Sequence, residues 1–206
     1  MTDSVWPSIH AERQALAQDL AALTAAQWAT PSLCSGWTVH QVLAHQVATA
    51  KMTPGSFLTK FAGAGFSFTK FTDKQVAVEA AGGPAATLAA FRAVETATSS
   101  PPGPKDSWLG EALVHSEDIR RPLGLHRDYP LPAVTRAISF YAGSNAIIGG
   151  KKRVAGLTLR ATDTDFVHGS GPEVTGPAMA LLLATAGRTA ALDDLTGPGL
   201  ATLRAR

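Results

Sequence analysis

Residues 108–121 form the stretch that most narrows what this chain can become. The breaker run 99–104 precedes it and Pro122 stops it, while Leu109, Ala112, Leu113 and Ile119 recur between them at helical spacing. Ser107 is placed to cap its start, and Arg120 and Arg121 close it where cations suit the negative end of a helix dipole. A helix bounded this tightly has to lay one face on a core, so the rest of the chain must assemble around it. Two polar residues, Glu111 and His115, flank that apolar face rather than opposing it. A four-residue step turns about 400° and rises about 6 Å, so the two project from one side, one above the other, and can grip one ion together.

Other segments supply the packing partners. Ile9, Leu16, Leu20 and Leu23 mark an amphipathic helix over 9–23. Thr38 and Gln41 have the spacing of a capping box, opening a helix with Val39, Val42, Leu43 and Val47 on its apolar stripe and His45 at the stripe's edge. Residues 52–71 carry Phe57, Phe61, Phe66, Phe68 and Phe71 among three glycines and a proline, a pattern that fits a broken helix or a lid-like loop over a cavity. Helices are expected over 85–98 and 131–148, the latter ended by Gly149 and Gly150. At least four helices before residue 150 pack most economically as an antiparallel four-helix bundle.

Beyond Gly150 the texture changes to a basic turn at 151–153, short strands at 156–162 and 165–168, a buried helix at 176–186 and a last helical segment at 200–206. The fold class is therefore mainly α with an α+β appendage: a helical bundle over 1–150 and a small C-terminal α/β subdomain over 151–206.

A net charge of +2, with 17% charged and 45% hydrophobic residues, describes a globular chain with no basic field for nucleic acid. The longest apolar run, 176–187, falls short of the roughly 20 residues that span a bilayer, and no greasy leader opens the chain. A cytoplasmic protein, monomer or homodimer, with small-molecule partners and no membrane or nucleic-acid partner is expected. Its single cysteine, Cys34, excludes an internal disulfide and reads as a small buried residue before a helix, so metal binding would rest on imidazole and carboxylate.

Among the six histidines, His45 is the natural third ligand for the Glu111 and His115 pair, because a set of three from two helices leaves one position for water, thiol or substrate. On pattern alone, Glu-x-x-x-His also fits a solvated polar face. Asp118, one turn beyond His115, reads either as an acceptor orienting an imidazole or as an exposed carboxylate.

Two runs carry a resemblance. Leu33, Gly36, Trp37, Thr38 and Val39 lead to His45, and Gly110, Glu111, Ala112, Leu113, Val114 and His115 continue through Asp118, Arg120, Arg121 and Pro122 to Gly124. They resemble the two signature segments of the mycothiol-dependent maleylpyruvate isomerase family, a branch of the DinB-like metal-binding four-helix bundles. Ala161 to Asp163, Gly171 to Glu173, Gly176 to Arg188, and Thr196 with Gly197 are similar to that family's C-terminal domain. The likeness covers most of 12–206 and is weakest over 52–107.

The resemblance implies a divalent metal ion, usually zinc, on His45, Glu111 and His115. It also implies mycothiol as thiol co-substrate and a basic residue of the C-terminal domain holding an anionic substrate, with Arg188 the candidate and Arg204 behind it. A helix-end charge after Gly187 is the plain reading of Arg188. The expected activity is thiol addition to, or transfer onto, an electrophilic small molecule, by an isomerase or a transferase. The alternative is a bundle that binds metal or a small ligand without turnover, as a sensor or partner module, its site closed by a fourth ligand such as His10, His40 or Asp118.

Overall fold

The computed structural model describes residues 4–146 and 148–206. They divide into two compact units, 4–104 with His115–His126, and Lys105–Val114 with Arg127–Arg206. The long helix α7, Lys105–Arg120, runs continuously through both.

The first unit is helical. Its elements are α1 (Trp6–Asp19), α2 (Ala25–Trp28), α3 (Val39–Lys51), α4 (Pro54–Ala62), α5 (Phe68–Ala80), α6 (Gly83–Ala93) and the last turns of α7. The capping box expected at Thr38 is present: its hydroxyl accepts from the Gln41 amide at 3.3 Å, and its own amide donates to Gln41 Oε1 at 2.9 Å. That box starts α3 so that Val42, Leu43 and Val47 enter the core with Leu16, Leu20, Phe91 and Ile119. α5 and α6 pack on α3, and α1 packs on α6. The Phe-rich stretch resolves as the broken helix, α4 and α5 joined by a turn at Gly65 and Phe66.

Arg120 is not a helix-end charge. It is fully buried, donating to Asp19 at 2.7 Å and to Glu12 at 2.5 Å, and so ties α7 to α1. Arg121 pairs with Glu117 one turn back, at 3.0 Å. Nor does Ser107 cap α7, which begins two residues earlier after Pro104.

The second unit holds the first turns of α7, α8 (Leu131–Gly143), α9 (Gly150–Val154), β1 (Thr158–Ala161), β2 (Val167–Gly169), β3 (Glu173–Gly176), α10 (Ala178–Thr185) and α11 (Leu200–Arg204). The sheet order is β2-β1-β3, with Leu159 of β1 opposite His168 in the antiparallel pair and opposite Val174 in the parallel one. Leu159 and Val174 are buried beneath α10, which also packs on α8 and is buried along its length, so it reads in sequence as an apolar run without a polar face.

Several boundaries differ from the sequence expectation: α1 spans Trp6–Asp19 rather than 9–23, α6 spans Gly83–Ala93 rather than 85–98, and β3 falls where no strand is expected. α8 stops at Gly143, where Ser144 is extended, rather than running to 148, and position 147 in that expected helix lies outside the described residues. Gly149 does not end a helix; at φ 67° it turns the chain into α9, which occupies the expected basic turn. The mainly α class with a small α/β unit holds.

Candidate metal centre

α3 and α7 bring His45, Glu111 and His115 together, each offering a ligand atom within 4.8 Å of the others. Glu111 and His115 are held at their spacing by α7 itself, one turn apart on one continuous helix. The His45 and His115 rings meet edge-on with centroids 4.8 Å apart. Two atoms bonded to one zinc at about 2.0–2.2 Å are at most about 4.4 Å apart, so small side-chain rotations bring this set to ligation distance. One carboxylate and two imidazoles are a donor set for a borderline divalent ion, and the residues present fit one.

His115 is oriented from behind. Its Nδ1 lies 2.9 Å from Asp118 Oδ2, leaving Nε2 as the ring atom to coordinate. Asp118 is fully buried, which decides between the two sequence readings in favour of the orienting acceptor. The Cys34 thiol donates to the same Asp118 oxygen at 3.0 Å and lies 3.5 Å from His115 Nδ1, so Cys34 is part of the support of the imidazole and not merely a small packed residue. Burial pulls the His115 pKa down, but hydrogen bonds to Asp118 and Cys34, with the attraction of both groups for the imidazolium, outweigh it and push the pKa up to about 10.

The loop before α3 is pinned to the same place. Leu33 donates its amide to the Asp118 carbonyl at 3.1 Å, Ser32 Oγ donates to the Trp37 carbonyl at 2.7 Å, and the Trp37 ring lies against His45 at 5.2 Å. The first signature run is therefore a support for His45 and His115 together.

None of the residues weighed as a fourth ligand joins the three among the described residues. His10 stacks on Trp6, His40 Nε2 lies 2.9 Å from Thr87 Oγ1, and Asp118 faces the other edge of His115.

Tyr141 of α8 was absent from the sequence-based set. Gly110 lets its ring lie directly on α7 beside Glu111; a methyl group at that glycine would overlap the ring. The hydroxyl donates to the Ser107 carbonyl at 3.2 Å. Burial pushes the phenol well above its usual range, the Glu111 carboxylate adds to the push, and the Arg188 guanidinium opposes it, so Glu111 and Arg188 both act on this ring. A glycine inside an otherwise well-formed helix was the available signal. Arg188 also donates to the Ala186 carbonyl at 3.1 Å and lines a small pocket with Arg153, Arg204 and Arg206. Arg204 is engaged with Asp193 at 2.7 Å.

Residues 9–101 match the family model of the mycothiol maleylpyruvate isomerase N-terminal domain. The resemblance to the mycothiol-dependent maleylpyruvate isomerase family holds. Two crystal structures of a mycothiol-dependent maleylpyruvate isomerase, one of a histidine-to-alanine mutant, share the fold with TM-scores of 0.58 for the mutant and 0.54 for the other. Each alignment covers 94% of this chain and 91% of the other, at 16% and 15% identity respectively. No curated protein matches the sequence. The part that matches the isomerase family contains His45 but stops before α7, so Glu111 and His115 rest on the geometry above.

Proposed function

We infer that this chain is a metal-dependent enzyme that activates a low-molecular-weight thiol, mycothiol by family likeness, for addition or transfer to an anionic electrophile. The observation that carries the reading is the convergence of His45, Glu111 and His115 with His115 backed by the buried Asp118. A divalent ion of the zinc class held there lowers the pKa of a bound thiol, so that the sulfur becomes a nucleophile near neutral pH.

The chain's own residues supply orientation and charge. Asp118 and Cys34 fix the His115 ring, Trp37 backs His45, and Tyr141 fixes the neighbourhood of Glu111. Arg188, acting on the same tyrosine as Glu111, is the cation assigned to the substrate's carboxylate, with the other arginines of its pocket adding to the local positive potential. The attacking sulfur is external, since Cys34 is committed to Asp118. Whether the thiol leaves after a double bond has rotated, or stays attached, separates an isomerase from a transferase.

Turnover of a panel of electrophiles with mycothiol, comparing wild type with Glu111→Ala, tests the reading. Metal-dependent conversion by the wild type and its loss in the variant are expected. Absence of any first-row metal in untagged protein, with failure of near-stoichiometric add-back, removes its basis.

A further inference from the structure

Three of the five large apolar side chains exposed among the described residues sit on one short hairpin: Leu58 at 65%, Phe66 at 73% and Phe68 at 65% exposure. The hairpin is α4, the turn after it and the start of α5. α4 is rich in apolar residues yet buries none of them fully; Phe57 and Phe61 rest half-buried on Phe71 of α5, and local devices set the ends of the helix. Pro54 opens the first turn, Thr53 and Ser56 form a capping box at 3.2 and 2.9 Å, and Ser67 accepts from the Lys70 amide at 3.4 Å to start α5.

The tip is held in an uncommon conformation. Phe66 has φ 58°, a left-handed backbone that a bulky residue rarely adopts, and that turn presents its ring outward. The ring meets Phe61 edge-on at 5.6 Å, Phe61 meets Phe57 and Phe71, and Phe71 is buried and anchors the group. The exposed aromatic surface is thus a built platform continuous with the core.

Charge decides what covers it. Between Met52 and Thr72 the sequence has Lys60 and Lys70 and no acidic residue, while Lys51 is neutralised by Glu79 at 2.7 Å. A second copy packed face to face would bring these lysines against themselves. A bilayer with anionic headgroups accepts both features: the rings and Leu58 enter the boundary with the acyl chains, and the lysines meet the headgroup charge.

We propose that the α4–α5 hairpin docks this protein peripherally on anionic lipid surfaces. No helix among the described residues is long and apolar enough to cross a membrane, so the contact is interfacial. It departs from the expectation, drawn from whole-chain composition, of no membrane partner, and it is independent of the metal reading.

Co-sedimentation of the full chain with vesicles tests it. At low salt the wild type is expected to sediment with equal parts phosphatidylglycerol and phosphatidylcholine and to stay in solution with phosphatidylcholine alone. Phe66→Ser/Phe68→Ser should abolish sedimentation, and Leu58→Ser, outside the strained turn, should weaken it. Lys60→Gln/Lys70→Gln should lower the partition coefficient by on the order of 30-fold. All these side chains project from the surface, so circular dichroism should match wild type. Failure of the wild type to sediment with anionic vesicles overturns the proposal, as does unchanged sedimentation of the double phenylalanine variant. A wild-type dimer that this variant dissociates, with no vesicle binding, gives the hairpin to a second copy and overturns it equally.

Discussion

Asp118 holds His115 by an Nδ1 to Oδ2 contact of 2.9 Å, from a position with no solvent exposure. A buried carboxylate behind a ligating imidazole fixes the ring's tautomer and rotation and raises its basicity. Asp118→Asn keeps the size and loses the charge. Metal affinity should fall about 10- to 100-fold, read by competition with a chromophoric chelator, while the helical spectrum is unchanged. Affinity equal to wild type would show that Asp118 is a structural carboxylate with no hold on the site.

His45 reaches the site from α3, whose core-facing residues are Val42, Leu43 and Val47. His45→Ala leaves that stripe whole. Tight metal binding should be lost, and the thermal unfolding midpoint of metal-free protein should stay within the small range expected of a partly exposed substitution. Unchanged metal content would remove His45 from the site.

What sequence could show about this site followed the range of each interaction. The Thr38 box and the Glu111 to His115 step are set within one helical turn, so spacing reveals them. The bond from Cys34 to Asp118 joins residues 84 apart, and nothing near either one signals it. Arg120 was read as a helix-end charge for the same reason: its partners Glu12 and Asp19 lie about a hundred residues earlier and come close only in the packed first unit. α4 and α5 were ambiguous because Gly63, Gly65 and an outward-facing Phe66 break the period that marks a buried face.

Glu12 and Arg120 form a buried pair, with Asp19 sharing the guanidinium from a partly exposed position. Removing one partner leaves a cation without full compensation in the core. Glu12→Ala should cost about 3 kcal/mol in denaturant unfolding. The double variant Glu12→Leu/Arg120→Met should recover much of that loss, because an apolar pair of similar volume carries no desolvation cost. A single variant as stable as wild type would mean that Asp19 alone suffices.

Arg188 is separable from metal binding. Arg188→Ala should leave metal content untouched and raise KM for an anionic electrophile, with a smaller effect on an uncharged one. Arg188→Lys, which keeps the charge but loses the planar fork, should fall between them. Equal activity of Arg188→Ala on both substrates would return the residue to its bond with the Ala186 carbonyl as a helix-end feature.

Gly110 and Tyr141 are coupled by contact, since the ring occupies the space where a side chain at 110 would begin. Gly110→Ala improves helix propensity by about 1 kcal/mol but forces the ring away at an overpacking cost of about 1–3 kcal/mol. A net loss of stability is expected, together with weaker metal binding as Glu111, the next residue, loses its fixed neighbour. Tyr141→Leu in the same chain removes the overlap, so the double variant should be more stable than the sum of the single effects. Strict additivity of the two substitutions in denaturant unfolding would show that Tyr141 and α7 do not depend on the glycine.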